Sequence, residues 1–296
     1  KTCRLVEAFG EAFNEALVEA FHEPFDEALA SIEAFDEALV GAFAGIVKIG
    51  NEVVASRQIW IPPEKRDVGL VFQDGALFPH LTAFQNIAYG LKRLGADARR
   101  ERVDSLLDLV GLGSYGKRFP HELSGGERQR LAVARALAPE PKVILLDEPF
   151  SNLDPTLRRS IREEIRKILR KVEATAILVT HDTDDALAIG DRIAIMRDGQ
   201  IEQVGTAAEI YHKPTSGYCA SLFGTANEME PDRWLRPDEL TISSKPVEGA
   251  IEVNVEIVRD VGRCFEVFVK PAAAEGKSWI VETDQSEFGE KGWVSF

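Results

Sequence analysis

Residues 123–130 read LSGGERQR and, a short helix later, residues 143–154 read VILLDEPFSNLD. The second phrase opens with four apolar residues, Val143 to Leu146, and runs directly into the carboxylates Asp147 and Glu148. A short apolar run of this kind predicts a buried strand. Its C-terminal end is where parallel α/β sheets place their ligand sites. In the first phrase Ser124 precedes Gly125, Gly126 and Glu127, which open a helix and offer a hydroxyl and backbone N–H groups to an anion. An acid pair ending a strand can be a surface coincidence. The two phrases together, at this spacing, point to a phosphate-handling site.

Working outward, GIVKIGNEVVAS (45–56) alternates β-formers around a turn at Gly50-Asn51, and DVGLVFQ (67–73) predicts a further strand ending in the polar Gln73. From Thr82 to Ala138 the period is helical, with Val103, Leu106, Leu107 and Val110 on one face. Past Asp154 a charged helix is expected over Leu157 to Lys171, then buried runs at Ala176 to Thr180 and Arg192 to Met196. Strands alternating with helices imply an α/β domain with a parallel core and a helical subdomain, assigned to residues 41–224. Beyond it, AIEVNVEIV (250–258) and CFEVFVK (264–270) mark a small all-β domain, residues 225–296.

The chain has 296 residues and a formal net charge of −14. No run approaches the roughly 20 apolar residues of a membrane helix, and no secretory leader pattern opens the sequence. Cys3, Cys219 and Cys264 are too scattered for a disulfide framework or a zinc site, which suits a reducing cytoplasm. The acidic balance argues against nucleic acid as the main partner. Of that charge, −8 lies in residues 1–40, ten acids against two bases. There the tetrad Glu-Ala-(Phe/Leu)-x recurs eight times from Glu7 to Val40. A four-residue period overshoots the helical turn by about 40° per repeat, so no straight packing face forms, and Pro24 interrupts it. The segment is helical or disordered. It reads either as an acidic arm for a partner or as a poorly packed low-complexity stretch.

From about Gly41 to Glu230 the order of motifs resembles the ATPase subunit of an ATP-binding cassette (ABC) importer. The resemblance implies an ABC-type nucleotide-binding fold, ATP and Mg²⁺ as ligands, and roles for particular residues. Gln73, in VFQDGALFPHLT, would be the Q-loop glutamine that senses magnesium and contacts the transporter. Asp147 would hold magnesium through water, and Glu148 would be the general base. Asp154 would be the D-loop aspartate, and His181 in LVTHD the switch histidine at the γ-phosphate. Ser124, Gly125, Gly126, Glu127 and Gln129 would close on nucleotide bound to a partner subunit. The implied partners are a second copy or a paired ATPase subunit, integral-membrane permease subunits and, indirectly, a periplasmic or extracellular solute-binding protein. The implied location is cytoplasmic, peripheral on the inner face of the plasma membrane.

One family element is missing. The phosphate-cradling loop GxxxxGK(S/T), called Walker A, should precede VKIGNEVV, yet nothing before Gly41 matches it, and Lys1 is the only lysine ahead of Lys48. Two look-alikes exist. Gly111 to Arg118, GLGSYGKR, follows a helix and has Arg118 in place of the hydroxyl residue; Gly276-Lys277-Ser278 lies in the β domain. The expectation is that this chain alone binds Mg-ATP weakly or not at all. Residues 225–296 resemble the barrel-like regulatory domain of importer ATPases, with Leu235-Arg236-Pro237-Asp238 echoing a recurring phrase. Together with LFPHLTAFQNIAYGL (77–91) this leans toward import of ferric iron or another small ion. The alternative is a non-catalytic interaction or regulatory protein on a degenerate cassette scaffold.

Overall fold

The computed structural model describes residues 46–56, 58–230, 233–272 and 278–296. The acidic repeat, the stretch in which a phosphate-cradling loop was sought and Gly276-Lys277 lie outside the described residues. The chain forms two compact units, the first ending at Ala207 and the second beginning at Ala208.

In the first unit, β1 (Ile46–Ile49) and β2 (Glu52–Ser56) pair antiparallel around Gly50, whose φ of 62° suits a residue without a side chain. β3 (Val68–Val71), β4 (Val143–Asp147) and β5 (Thr175–Val179) form a parallel sheet with β4 in the middle. Ile144, Leu146, Ala176 and Leu178 fill one face of it. The apolar run at 192–196, expected to extend that parallel core, does something else. It forms β6 (Ile193–Arg197), which pairs antiparallel with β7 (Gln200–Gly205). Asp198-Gly199 explains this: φ values of 51° and 75° are those of a two-residue hairpin turn, which folds the chain straight back on itself.

Helix α1 (Ala83–Ala88) starts in a capping box in which the Thr82 hydroxyl accepts from Gln85 N and the Gln85 carboxamide accepts from Thr82 N. Helix α2 (Ala96–Leu109) buries Val103, Leu106 and Leu107, with Val110 buried just beyond. It ends in a Schellman closure: Leu112 N donates to Leu107 O (2.7 Å) and Gly111 N to Asp108 O (3.1 Å), with Gly111 at φ 70°. The look-alike GLGSYGKR is thus a helix stop, and its glycine serves the closure rather than a phosphate. Helix α3 (Gly125–Leu137) lies so near the sheet that a Cβ on Gly69 of β3 would stand 2.6 Å from Ala136 O. Helices α4 (Pro155–Lys171) and α5 (Thr183–Ile189) follow β4 and β5 in turn.

The second unit holds two short helices, α6 (Ala207–His212), all but its first residue, and α7 (Gly217–Leu222), the latter capped by Ser216. A two-stranded ladder follows, β8 (Asn227–Glu230) with β9 (Arg233–Leu235). The unit's main sheet is antiparallel and five-stranded, built from β10 (Thr241–Ser243), β11 (Ile251–Asp260), β12 (Phe265–Pro271), β13 (Trp279–Thr283) and β14 (Lys291–Ser295) in the order β10-β14-β11-β12-β13. Val253, Val267, Val269, Val281, Val294 and Trp279 make its core. Asn227 caps the β13 edge, its carboxamide donating to Ile280 O and accepting from Ile280 N, both at 2.7 Å. Arg236, 2% exposed, donates to the carbonyls of Tyr211, Ala220, Gly224 and Thr225. Those four bonds gather α6 and α7 into this unit, which explains why it starts before the change to β-rich composition.

Candidate functional site

Strand order builds the site. Because β4 lies between β3 and β5, the residue that leaves β4 is flanked on both sides by residues leaving its neighbours. Glu148 is that residue. Its N–H donates to Val179 O (2.8 Å), and its φ of 40° turns the chain sharply out of the sheet. The turn is closed by Ser151, whose hydroxyl and N–H both donate to Glu148 O at 2.9 and 3.2 Å. One carboxylate oxygen of Glu148 meets His181 Nδ1 at 2.7 Å, and the other accepts from Gln73 Nε2 at 3.4 Å. Three residues expected to act together from three separate stretches of sequence thus converge on one carboxylate. The Glu148 side chain is 16% exposed and that of His181 65%, so the cluster opens to solvent on the histidine side.

Asp147 ends β4 opposite Val179. Burial, and then the neighbouring Glu148 charge, push its carboxyl up to about 7, and its Oδ1 is buried without a hydrogen-bond partner. A buried carboxylate oxygen with no donor suits a cation or a cation-bound water. Among the described residues no group of three or more His, Cys, Asp or Glu forms a protein cage for a metal. A single unpartnered carboxylate oxygen fits magnesium, which takes most of its ligands from water and phosphate.

The LSGGE phrase caps α3. The Ser124 hydroxyl accepts from Glu127 N (3.3 Å), while the Glu127 carboxylate accepts from Ser124 N (2.7 Å), and that second bond is the main reason its pKa is lowered. The box leaves the N–H groups of Gly125 and Gly126, at the first two helical positions, outside its own bonds. A Cβ on Gly126 would sit 2.5 Å from Ile161 Cδ1 of α4, so this glycine lets the two helices approach. Gln129, 6% exposed, lies inside the chain against Gly75. No hydrogen bond joins Ser124 to the Glu148 cluster among the described residues.

Asp154 caps α4: its Oδ1 accepts from Thr156 N at 2.8 Å, which lowers its pKa. Ahead of it, Asn152 Nδ2 donates to Asp74 Oδ1 at 2.7 Å, tying this loop to the residue after Gln73.

Several supporting residues were not singled out from sequence. Arg158 donates to Asp182 Oδ2 (2.8 Å) and to the carbonyls of Ser151 and Leu153, joining the loop before Asp154 to the residue after His181. Arg162 donates to both Asp182 and the buried Asp185, which also accepts from Thr180 Oγ1 at 3.0 Å. Burial pushes Asp182 up, but Arg162, the Asp184 N–H and Arg158 outweigh it and hold the carboxyl below its usual range. Asp185 moves the other way, raised by burial and by Asp182. The helical spacing of Arg158 and Arg162 on α4 was the one available signal; their carboxylate partners lie twenty or more residues away in sequence.

Comparison with known proteins supplies the frame for this geometry. The family described as ABC transporter matches residues 38–151. The chain is 53% identical over 169 residues to the Fe(3+) ions import ATP-binding protein FbpC of Rhizobium etli, covering 56% of this chain and 48% of that protein. It is 49% identical over 191 residues to FbpC 1 of Rhizobium meliloti, covering 64% and 53%. The chain thus spans about half the length of the curated relatives it matches. Among solved structures, CbiO1 of Clostridium perfringens, part of the ABC transporter complex CbiONQ, shares the fold with a TM-score of 0.54 at 26% identity, over 71% of this chain and 80% of that one. Residues 38–151 thus match the ABC transporter family, and the chain resembles the ATP-binding subunit of an ABC importer of the ferric-ion type.

Proposed function

We propose that the chain belongs to the energy-coupling ATPase subunit of an importer for ferric iron or another small ion, and that these 296 residues by themselves hydrolyse ATP poorly because they hold no complete GxxxxGK(S/T) ahead of the Gln73 strand. The observation that carries the first half is Glu148, held between Gln73 and His181 at the end of the central parallel strand. Phosphoryl transfer to water needs an aligned nucleophile and a charge-neutralised phosphate more than covalent help. In this reading Glu148 accepts a proton from the attacking water as the bond from the γ-phosphorus to the bridging oxygen breaks. His181 keeps that carboxylate oriented through Nδ1, leaving its exposed face toward the γ-phosphate. Asp147 and Gln73 would hold magnesium through water, and the ion when bound would supply charge neutralisation at the phosphates. Ser124, Gly125, Gly126 and Glu127 would serve nucleotide on a paired subunit, with Asp154 fixing the loop between.

The second half concerns these residues alone: residues 1–40 contain no complete GxxxxGK(S/T) and no lysine beyond Lys1. The alternative reading is a non-catalytic regulatory subunit whose LSGGE phrase completes a partner's site. Docking on permease subunits at the inner face of the plasma membrane belongs to the first reading; no helix of the described residues is long and apolar enough to cross a membrane.

The test is a calorimetric titration of the chain with Mg-ATP, repeated after a strand–GxxxxGKS–helix segment is grafted in place of residues 1–40. The proposal expects no micromolar binding before the graft and micromolar binding after it. Binding that is equally tight without the graft contradicts the impairment. A folded graft that never binds contradicts the ATPase reading.

A further inference from the structure

The turn that carries Gln73 is unusual in its backbone. Gly75 N donates to Phe72 O at 2.8 Å, closing a turn with Gln73 and Asp74 at its centre. The next two residues, Gly75 (φ 69°) and Ala76 (φ 41°), are both left-handed. Glycine takes that conformation freely, but Ala76 does so only where its surroundings impose it.

What imposes it is a stripe of α3. Arg135 donates Nη1 to Ala76 O (2.6 Å) and Nη2 to Gly75 O (3.1 Å), so its rigid fork spans the two left-handed carbonyls. Three residues earlier, Ala132 Cβ stands 3.4 Å from where a side chain on Gly75 would begin, and three earlier again Gln129 Oε1 stands 3.8 Å from the same point. Arg135 also lies over the Phe78 ring at 5.4 Å from its centroid. Among the described residues no carboxylate forms an ion pair with it, so its five donors serve the turn and the ring rather than a salt bridge.

We infer that Arg135 is a positioning residue for Gln73: by clamping the carbonyls of Gly75 and Ala76 it fixes the turn, and through the turn it sets the Gln73 carboxamide against Glu148. Gln129 and Ala132 form the floor on which the turn rests. The helix that opens with LSGGE is thereby tied at its far end to the residue that faces Glu148. A lysine cannot replace the arginine fully, since a point ammonium cannot span two adjacent carbonyls in one plane. This inference deepens the proposed function and rests on Gln73 acting in the Glu148 site.

The experiment compares amide NMR spectra of the full chain and four variants. Gln73→Glu identifies the Gln73 side-chain signal by its loss. Arg135→Met should shift that signal to the position of a free glutamine and raise amide exchange at Gly75 at least tenfold, with Arg135→Lys between. The control is Arg102→Met, which removes comparable bonds to the carbonyls of Leu137 and Ala138 at the end of the same helix but does not touch the turn. It should leave Gln73 and Gly75 unchanged even if it lowers the melting temperature. A folded Arg135→Met chain with the Gln73 signal in place overturns the inference, as does an equal shift in Arg102→Met. If Arg135→Met does not fold, Arg135→Lys decides by the same two signals, and failure of both to fold marks Arg135 as a residue of the fold alone and overturns it. Should Gln73 move as expected while Gln73→Glu leaves phosphate release by the grafted chain unaltered, the clamp stands and the role given to Gln73 falls.

Discussion

Asp182 and Asp185 stand three residues apart, share Arg162, and are moved in opposite directions. Asp182 is the one whose charge supports the fold. Its folded pKa is depressed, so its contribution is complete above the unfolded value of about 3.9 and is lost as pH falls through the lower folded value. Asp182→Asn should therefore lower stability at neutral pH and flatten its decline below about pH 4, read by urea unfolding across a pH series. An acid limb as steep as that of the parent chain would contradict this. Asp185→Asn tests the buried end of the network: leaving Arg162 short of its partner should cost about 3 kcal/mol at neutral pH. None of this was visible in the sequence, because LVTHDTDD shows six polar residues after a strand without indicating which of them faces a cation on another helix.

The elements were more legible than their contacts. LSGGE announced a helix start, which the structure closes with a capping box in which serine and glutamate three apart satisfy each other's backbone groups, and the hairpin at Gly50 was legible because its turn and alternation are also local. The strand at 193–197 was misassigned to the parallel core for the opposite reason: a buried apolar run looks the same in either kind of sheet, and the Asp198-Gly199 turn that decides it lies outside the run. Gly126 shows a case in which spacing between elements decides. Gly126→Ala should destabilise the first unit by about 1–3 kcal/mol through its clash with Ile161, and Ile161→Val, which removes the offending methyl, should recover most of it. Denaturant midpoints of the two single variants and the double variant check this; additive losses would mean that the glycine serves something other than helix approach. At the other end of the scale, Thr82→Ala removes one half of a capping box and should cost only about 1 kcal/mol.

At the scale of the whole molecule, the separation into two units makes a prediction of its own. Arg236→Met leaves four carbonyls of the second unit without their donor, so amide exchange protection on β11, β12 and β14 should fall, while that on β3, β4 and β5 stays within twofold of the parent. A uniform loss across both sheets would contradict their independence. The site itself was legible in part because its three central residues each lie one or two residues past the end of a strand, and strand ends can be read from apolar runs. Their meeting on Glu148 needed the strand order, which no local pattern contains. The clamp on the Gln73 turn needed still more, since Arg135 lies about sixty residues from the carbonyls it holds.

The most direct measurement of the central claim is phosphate release from Mg-ATP by the parent chain and by the chain grafted with a strand–GxxxxGKS–helix segment, each with and without Glu148→Gln. The expected result is no release above background from the parent, release from the graft, and at least a hundredfold loss of that release in Glu148→Gln. Release by the parent chain that disappears in Glu148→Gln would contradict the impairment; release by the graft that persists in Glu148→Gln would contradict the role of Glu148.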